Sequence, residues 1–260
     1  MSGFIFKENV WEDENTIGFF EVDTKNRVSL PTLWRLMQET AWNHADRIQL
    51  GYSDLSQKNH IWVLSRLFIH IHDYPKWGDR IKFQTWLLGI RRLFALRDFS
   101  IRDQKGNLMG AAKSAWLVLD LNSRKPQRIE PYLSSMNALP EKHASEGKLE
   151  KIPVLNHPDT REFFTTRYSD LDMHQHVTNI KYMEWILDSY SFEMNNTHRI
   201  LTFEMNFLAE ASYGDEISVQ TETLEDPTTA YLHRVVRKKD DRELCRARTK
   251  WKRIESSLPR

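Results

Sequence analysis

The chain has 260 residues, which is enough for one large domain or for two units of about 130 residues each. Its 37 Lys and Arg against 36 Asp and Glu give a net charge of +1, so composition offers no argument for binding nucleic acid or an anionic membrane. The single Cys245 excludes an internal disulfide, and neither a signal-peptide pattern nor a membrane-spanning apolar run is present. We therefore expect a soluble, cytoplasmic protein.

The first predicted element is a helix that starts near Ser29 and stops at Gly51. Ser29 and Pro31 are start signals, and the apolar residues that follow keep helical spacing. Because these residues cover more than one stripe, a largely buried helix is expected. Four strand-like segments come next, joined by short turns: residues 60–71, 80–88, 95–102 and 108–121.

A proline-rich stretch separates this half of the chain from a second half with the same order of elements. Five of the nine prolines fall there: Pro126, Pro131, Pro140, Pro153 and Pro158. The second half has a predicted helix at 180–190, followed by strands at 200–207, 216–224, 231–238 and 243–254. We predict an N-terminal unit at residues 1–140, a linker at 141–160 and a C-terminal unit at 161–260.

The two halves repeat each other in sequence. Residues 74–85 read YPKWGDRIKFQT and residues 210–221 read EASYGDEISVQT, so that Asp79 and Asp215 are 136 residues apart (215 − 79). Leu108 and Leu244, in the next shared segment, have the same separation. Each half places one helix before several strands joined by short turns, which predicts an antiparallel α+β arrangement instead of alternating βαβ units.

A polar constellation precedes the helix of the second half only. Asp172, His174 and His176 alternate, and in an extended segment alternate side chains project to the same side. Beside a helix N-terminus, which can stabilise an oxyanion, this set suits acyl transfer to water. Two other interpretations stay open: Asp172 is a turn or capping residue with histidines at the surface, or the three residues bind a metal, which no HExxH or cysteine pattern supports.

Residues 170–182, DLDMHQHVTNIKY, resemble the motif D-L-D-x-N-Q-H-V-x-N-x-K-Y of the acyl-acyl-carrier-protein (acyl-ACP) thioesterases. The resemblance extends to LMQETAWNHA at 36–45, IWVLSRL at 61–67 and YPKWGD at 74–79, and so covers both halves. It implies a tandem hot-dog fold, in which an antiparallel sheet wraps around a long central helix in each unit. It also implies hydrolysis of a fatty acyl thioester without a cofactor or a metal.

The resemblance places the family's catalytic residues at Asp172, His176 and Glu210. His174 stands where the family usually has Asn, and Ala211 stands where the plant enzymes often have Cys, so a thiol nucleophile is not expected. Glu210, or alternatively Asp172, is expected to polarise a water molecule. His174 and the helix N-terminus would stabilise the oxyanion, and His176 would orient or share the proton.

The resemblance also implies that an acyl carrier protein is the partner and that the first unit binds the acyl chain. The first copy has Asp23 but no histidine in the matching segment, so hydrolysis is assigned to the second copy. Alternatives are hydrolysis of acyl-coenzyme A, a hot-dog dehydratase, or a non-catalytic acyl-chain binder, in a monomer or a homodimer. Two basic runs are candidate docking surfaces for an acidic carrier: Arg91, Arg92 and Arg97, and Arg234, Arg237, Lys238, Lys239, Arg242, Arg246 and Arg248.

Overall fold

The computed structural model describes residues 5–7, 9–129, 132, 138–224 and 229–254. The chain forms two compact units, Met1–Glu150 and Lys151–Arg260, and the predicted linker at 141–160 is divided between them. Pro131 of the proline-rich stretch lies outside the described residues. No helix in the described ranges is long and apolar enough to cross a membrane.

The first unit is an antiparallel sheet with one long helix. The sheet order is β1-β2-β4-β5-β6-β3, with β7 pairing with β6. Its elements are β1 (Ile5–Lys7), β2 (Val10–Thr16), α1 (Leu30–Arg47), the short α2 (Tyr52–Ser56), β3 (His60–Ile71), β4 (Arg80–Arg91), β5 (Phe94–Arg102), β6 (Leu108–Asp120) and β7 (Pro126–Gln127).

Helix α1 starts where the sequence predicts and ends earlier. Ser29 is the N-cap, and its hydroxyl accepts a hydrogen bond from the Thr32 N–H at 3.2 Å. The helix ends at Arg47, before Gly51, because Gln49 takes a left-handed conformation with φ 59°. Trp34 of α1 is fully buried and meets Phe99 of β5 edge to face, with ring centroids 5.6 Å apart. The helix is therefore embedded in the core, as its apolar pattern predicts.

The second unit repeats this arrangement with a shorter helix. Its strands are antiparallel in the order β9-β12-β11-β10-β8, and Trp185 of its main helix stacks on Phe164 of β8 at 6.2 Å. Its elements are β8 (Thr160–Thr165), α3 (Asn179–Asp188), the short α4 (Phe192–Thr197), β9 (His198–Phe207), β10 (Glu216–Leu224), β11 (Thr229–Arg237) and β12 (Arg242–Arg253). The antiparallel α+β prediction is confirmed for both units.

The residues predicted as a linker are hydrogen-bonded to the sheet of each unit. In the first unit we call segment 138–150 the first strap. Its Lys142 carbonyl accepts a hydrogen bond from Trp86 Nε1 at 2.7 Å, and its Ala144 N–H donates to the Asp98 carboxylate at 2.9 Å. In the second unit, the Ile152 N–H donates to the Asn206 side chain at 2.8 Å. Both segments thus belong to the folded units and do not behave as free spacers.

Candidate active site

Three of the four predicted site residues, Asp172, His174 and His176, lie on a tight loop between a 3₁₀ turn (Tyr168–Asp170) and helix α3, and the fourth, Glu210, lies between β9 and β10. Leu171 and Val177 form an isolated β-bridge, and within it the Asp172 N–H donates to the His176 carbonyl at 2.8 Å. Gln175 takes the left-handed conformation, φ 64°, that reverses the chain. We call residues 171–177 the second-unit loop. The extended conformation predicted for this segment is wrong, because the loop is a turn.

The Asp172 carboxylate holds this turn closed. Its Oδ1 accepts hydrogen bonds from the N–H groups of His174 at 2.8 Å and His176 at 3.1 Å. Asp172 is exposed and acts through the main chain of the two histidines. Such side-chain to backbone bonds are typical of Asp in turns, and they match the interpretation of Asp172 as a turn residue that the sequence left open.

The loop brings His176 to Glu210. Nε2 of His176 lies 3.5 Å from Oε2 of Glu210, and both side chains are about one-third exposed, 32% and 36%. This approach is fixed through the main chain, because the Val177 N–H donates to the Ala211 carbonyl at 3.1 Å and His176 bridges to Ser212. An imidazole and a carboxylate accessible to solvent and to substrate are thus placed side by side.

The start of helix α3 directly follows this pair. Its N-cap is Thr178, whose side chain makes no capping hydrogen bond in the described part of the chain, in contrast to Ser29 at the start of α1. The Thr178 main chain is held by a bond from its N–H to the Asp170 carbonyl, 2.9 Å. Half-buried His174 lies in the same loop. Because the N–H groups of the first turn of a helix point out of its N-terminal end, those of α3 are directed toward the side of the second-unit loop.

Two residues that sequence reasoning missed hold the main chain of Glu210. Tyr182 on α3 accepts a hydrogen bond at its hydroxyl from the Ala211 N–H at 2.8 Å. Arg237 on β11 donates from Nη1 to the Glu210 carbonyl at 3.2 Å. Tyr182 falls in the segment DLDMHQHVTNIKY, four residues into the helix, so its position offered a signal, whereas Arg237 was assigned only to a basic run.

The first unit contains the same loop with the same hydrogen bonds. Asp23 Oδ1 accepts from the N–H groups of Lys25 at 2.8 Å and Arg27 at 3.0 Å, and the Asp23 N–H donates to the Arg27 carbonyl at 2.7 Å. Asn26 takes the left-handed position with φ 57°, as Gln175 does. The loop is therefore a repeated structural feature of both units, and its closing aspartate does not by itself mark a catalytic site.

The first unit has different residues at the positions of His176 and Glu210. Arg27 occupies the place of His176, and buried Tyr74 occupies the place of Glu210 in the aligned segments. Arginine stays protonated at working pH, and a tyrosine is a poor base, so the pair cannot accept a proton from water. An imidazole beside a carboxylate is thus found in the second unit and is not repeated at the aligned positions of the first, and the assignment of hydrolysis to the second unit stays a prediction.

The basic runs predicted as docking surfaces are mostly engaged within the protein. Arg97 is buried: its Nη1 lies 3.0 Å from Nδ1 of His44 and 3.1 Å from the Thr85 hydroxyl. Burial lowers the pKa of His44 to about 3, so a neutral ring accepts this bond. The assignment of Arg97 to a docking surface is wrong, because the side chain faces α1.

The basic residues near the end of the chain are largely paired with carboxylates. Their ion pairs shorter than 3.6 Å are Arg234–Glu243, Arg237–Asp240, Lys238–Glu216, Lys239–Asp215, Arg246–Glu243 and Arg248–Glu204. A surface of alternating sign is a weak attractor for an acidic partner, so this run loses most of its support as a docking surface. Among the described residues, no group of three or more His, Cys, Asp or Glu has an arrangement that could hold a metal ion.

Comparison with known proteins follows the two-unit division. Residues 8–136 match the model of the acyl-ACP thioesterase N-terminal domain, and residues 156–253 match that of the C-terminal domain. An acyl-ACP thioesterase from Bacteroides thetaiotaomicron, known from a crystal structure, is 30% identical in sequence to this chain. The two structures superpose with a TM-score of 0.82, over 94% of this chain and 98% of the other. A 12:0-ACP thioesterase from Umbellularia californica shares the fold, with a TM-score of 0.85 at 23% identity over 96% and 100% of the two chains.

A chloroplastic oleoyl-acyl carrier protein thioesterase 1 from Arabidopsis thaliana is 27% identical over 95% of this chain and 77% of its own length. The fold and these matches together define a double hot-dog thioester hydrolase, which confirms the fold predicted from the resemblance. Within that class, the chain belongs to the acyl-ACP thioesterase family.

Proposed function

We propose that this protein hydrolyses the thioester of fatty acyl-acyl carrier protein and releases a free fatty acid. The observation that carries the proposal is the His176–Glu210 pair beside the start of α3, because the first unit has Arg27 and Tyr74 at the matching positions. The family gives the class of substrate. Binding of the acyl chain by the first unit and a cytoplasmic location stay predictions.

Glu210 suits the role of general base better than Asp172 does. The carboxylate of Asp172 already accepts two main-chain N–H bonds, and its copy Asp23 makes the same bonds in a unit without hydrolytic groups. Glu210 instead lies beside an imidazole and remains one-third exposed. In the proposed mechanism Asp172 positions His174 and His176, and Glu210 takes the proton from water.

The bond changes follow from this assignment. The water oxygen bonds to the thioester carbonyl carbon while Glu210 removes its proton, and the first-turn N–H groups of α3, with His174, stabilise the tetrahedral oxyanion. The carbon–sulfur bond then breaks. The proton passes from Glu210 through His176 to the departing thiolate, so the products are a carboxylic acid and the free thiol of the carrier.

Substitution of the pair tests the chemistry. Glu210→Gln and His176→Ala are each expected to reduce kcat by about 100-fold or more, the usual contribution of a general acid or base. Glu216→Gln is the matched control for the first variant, because exposed Glu216 binds Lys238 instead of an imidazole. Wild-type turnover in both active-site variants would contradict the proposed mechanism.

The substrate is tested separately with wild-type protein. A ladder of acyl-carrier proteins and matching acyl-coenzyme A esters is offered, and released fatty acid is measured. We expect the larger kcat/KM with the carrier-bound esters. Equal or better hydrolysis of the coenzyme A esters would favour the acyl-coenzyme A alternative, and release from neither series would remove the proposed function.

A further inference from the structure

The peptide group between Glu210 and Ala211 is held from both of its ends. Its N–H donates to the Tyr182 hydroxyl at 2.8 Å, and its C=O accepts from Arg237 Nη1 at 3.2 Å. A peptide group is planar, so two partners on opposite edges fix the orientation of the plane. The direction in which the Glu210 side chain leaves the main chain is thereby set by one residue of α3 and one of β11.

Both partners are themselves held in place. Tyr182 is buried and contacts Trp185 and Phe207 edge to face, at ring-centroid distances of 5.3 and 5.8 Å. Burial raises the pKa of Tyr182, so its hydroxyl stays neutral across the working range of an enzyme. Arg237 is oriented by ion pairs with Asp240 at 2.7 Å and Asp215 at 3.7 Å. These contacts leave the Glu210–Ala211 peptide group little freedom.

The first unit shows that the fold does not need the tyrosine contact. There the aligned residues are Tyr74 and Pro75, and the peptide group between them has no N–H to donate, while the fourth residue of α1 is Leu33, which has no hydroxyl. The bond from the Val28 N–H to the Pro75 carbonyl is nevertheless kept at 2.9 Å. Loop, helix and sheet therefore form without the donor and without the acceptor. The contact occurs in the unit that has a glutamate to position.

We propose that Tyr182 is a positioning residue for hydrolysis, which acts by holding the Ala211 N–H so that the Glu210 carboxylate stays beside His176. The proposal rests on the proposed function. Glu210 is 36% exposed and makes its approach to His176 at 3.5 Å, so packing alone does not confine its side chain. A small misplacement of a general base lowers the rate of proton removal while leaving substrate binding unchanged.

Tyr182→Phe removes this hydrogen bond by deleting the acceptor, and it is expected to lower kcat about 3- to 10-fold with KM unchanged, the effect of one net hydrogen bond. Ala211→Pro deletes the donor by copying Pro75 of the first unit, but its ring takes the space between the nitrogen and the Tyr182 hydroxyl, which are 2.8 Å apart. It is therefore made together with Tyr182→Phe, and this double variant is expected to lose no more than Tyr182→Phe alone, because both changes remove the same bond.

Measuring turnover without the Glu210 carboxylate distinguishes loss of Glu210 positioning from a general disturbance of the fold. In a Glu210→Gln background, Tyr182→Phe is expected to change the residual kcat by less than twofold, because the carboxylate that it positions is already gone. The control is Tyr190→Phe, since the Tyr190 hydroxyl is also buried but bonds to His233 at 2.9 Å and Thr249 at 2.7 Å. This control is expected to lower the unfolding midpoint without lowering kcat.

The outcomes distinguish the two proposals. An inactive Glu210→Gln together with an unimpaired Tyr182→Phe would overturn the positioning role and leave the proposed function standing. The positioning role would also be overturned by an equal loss of kcat from Tyr182→Phe with and without Glu210. Full turnover in Glu210→Gln would contradict the proposed mechanism and the positioning role together.

Discussion

At the scale of single residues, the difference between the two units is a change of proton chemistry on an unchanged main chain. The second unit places the His176 imidazole beside the Glu210 carboxylate, whereas the first has the guanidinium of Arg27, which pairs with Asp23, and the buried Tyr74. Both pairs lie at matching positions of the aligned segments, and the main-chain hydrogen bonds of the two loops are the same. Few side chains therefore separate the proposed hydrolytic site from its structural copy.

His174 is the residue at which this chain departs from the family motif, and its substitution gives the first prediction. Its main-chain N–H binds Asp172, a bond that any residue other than proline keeps. His174→Asn retains a side-chain donor and is expected to hold kcat within about threefold of wild type, while His174→Ala is expected to lose about tenfold. Steady-state kinetics decides this. Equal losses in both variants would mean that the imidazole itself is required.

At the scale of elements, the loop shows what a motif does and does not reveal. The sequence placed three polar residues, Asp172, His174 and His176, directly before a helix, which is where they lie, but their alternation suggested an extended segment. The turn arises because Asp172 bonds to two following N–H groups and Gln175 takes a positive φ. Glutamine is a weak signal for that conformation. The first copy has Asn26 there, a residue commonly found in left-handed turns, and comparing the copies would have indicated the turn.

The repeated loop allows a comparison within one molecule, which is the second prediction. Asp172→Ala and Asp23→Ala each remove the acceptor of two loop N–H groups, and each is expected to cost about 1 kcal/mol of unfolding free energy. Only Asp172→Ala is expected to reduce kcat, by about tenfold or more, because only that loop positions His176. Urea unfolding and turnover are measured on both. A matching loss of turnover in Asp23→Ala would contradict the division of roles.

At the scale of the whole molecule, the sequence predicted the long apolar strands well and the short or exposed strands poorly. β3 and β10 have the predicted bounds, since long apolar runs between turn signals leave little ambiguity. No strand was predicted at β8, which begins at the last residue of the predicted linker, and none was predicted at β2. β8 is largely exposed, and within the described part of the chain β10 is its one partner strand, so its sequence lacks the apolar alternation of a half-buried strand.

The sequence also does not reveal which polar residues are buried by segments distant in the chain. Asp98 is one such residue, and its burial affects the stability of the protein. Asp98 is fully buried on β5, where Oδ2 accepts the Ala144 N–H of the first strap at 2.9 Å. Oδ1 has no hydrogen-bond partner among the described residues, and Nδ1 of His143 lies 3.9 Å from Oδ2. Burial raises the pKa of Asp98 to about 6, against the lowering effects of the Ala144 bond, Lys113 and His143.

This raised pKa sets the sign of the third prediction. Between about pH 4 and pH 6 the folded protein holds the Asp98 proton more tightly than the unfolded chain, so stability from this group falls as pH rises and is lost above pH 6. Asp98→Asn mimics the protonated carboxyl and can still accept the Ala144 N–H. Its unfolding free energy is expected to equal that of wild type near pH 4 and to exceed it by about 2 kcal/mol at pH 7.5. Urea titrations across this range test it, and a difference that does not change with pH would mean that Asp98 ionises in the folded protein as it does in the unfolded chain.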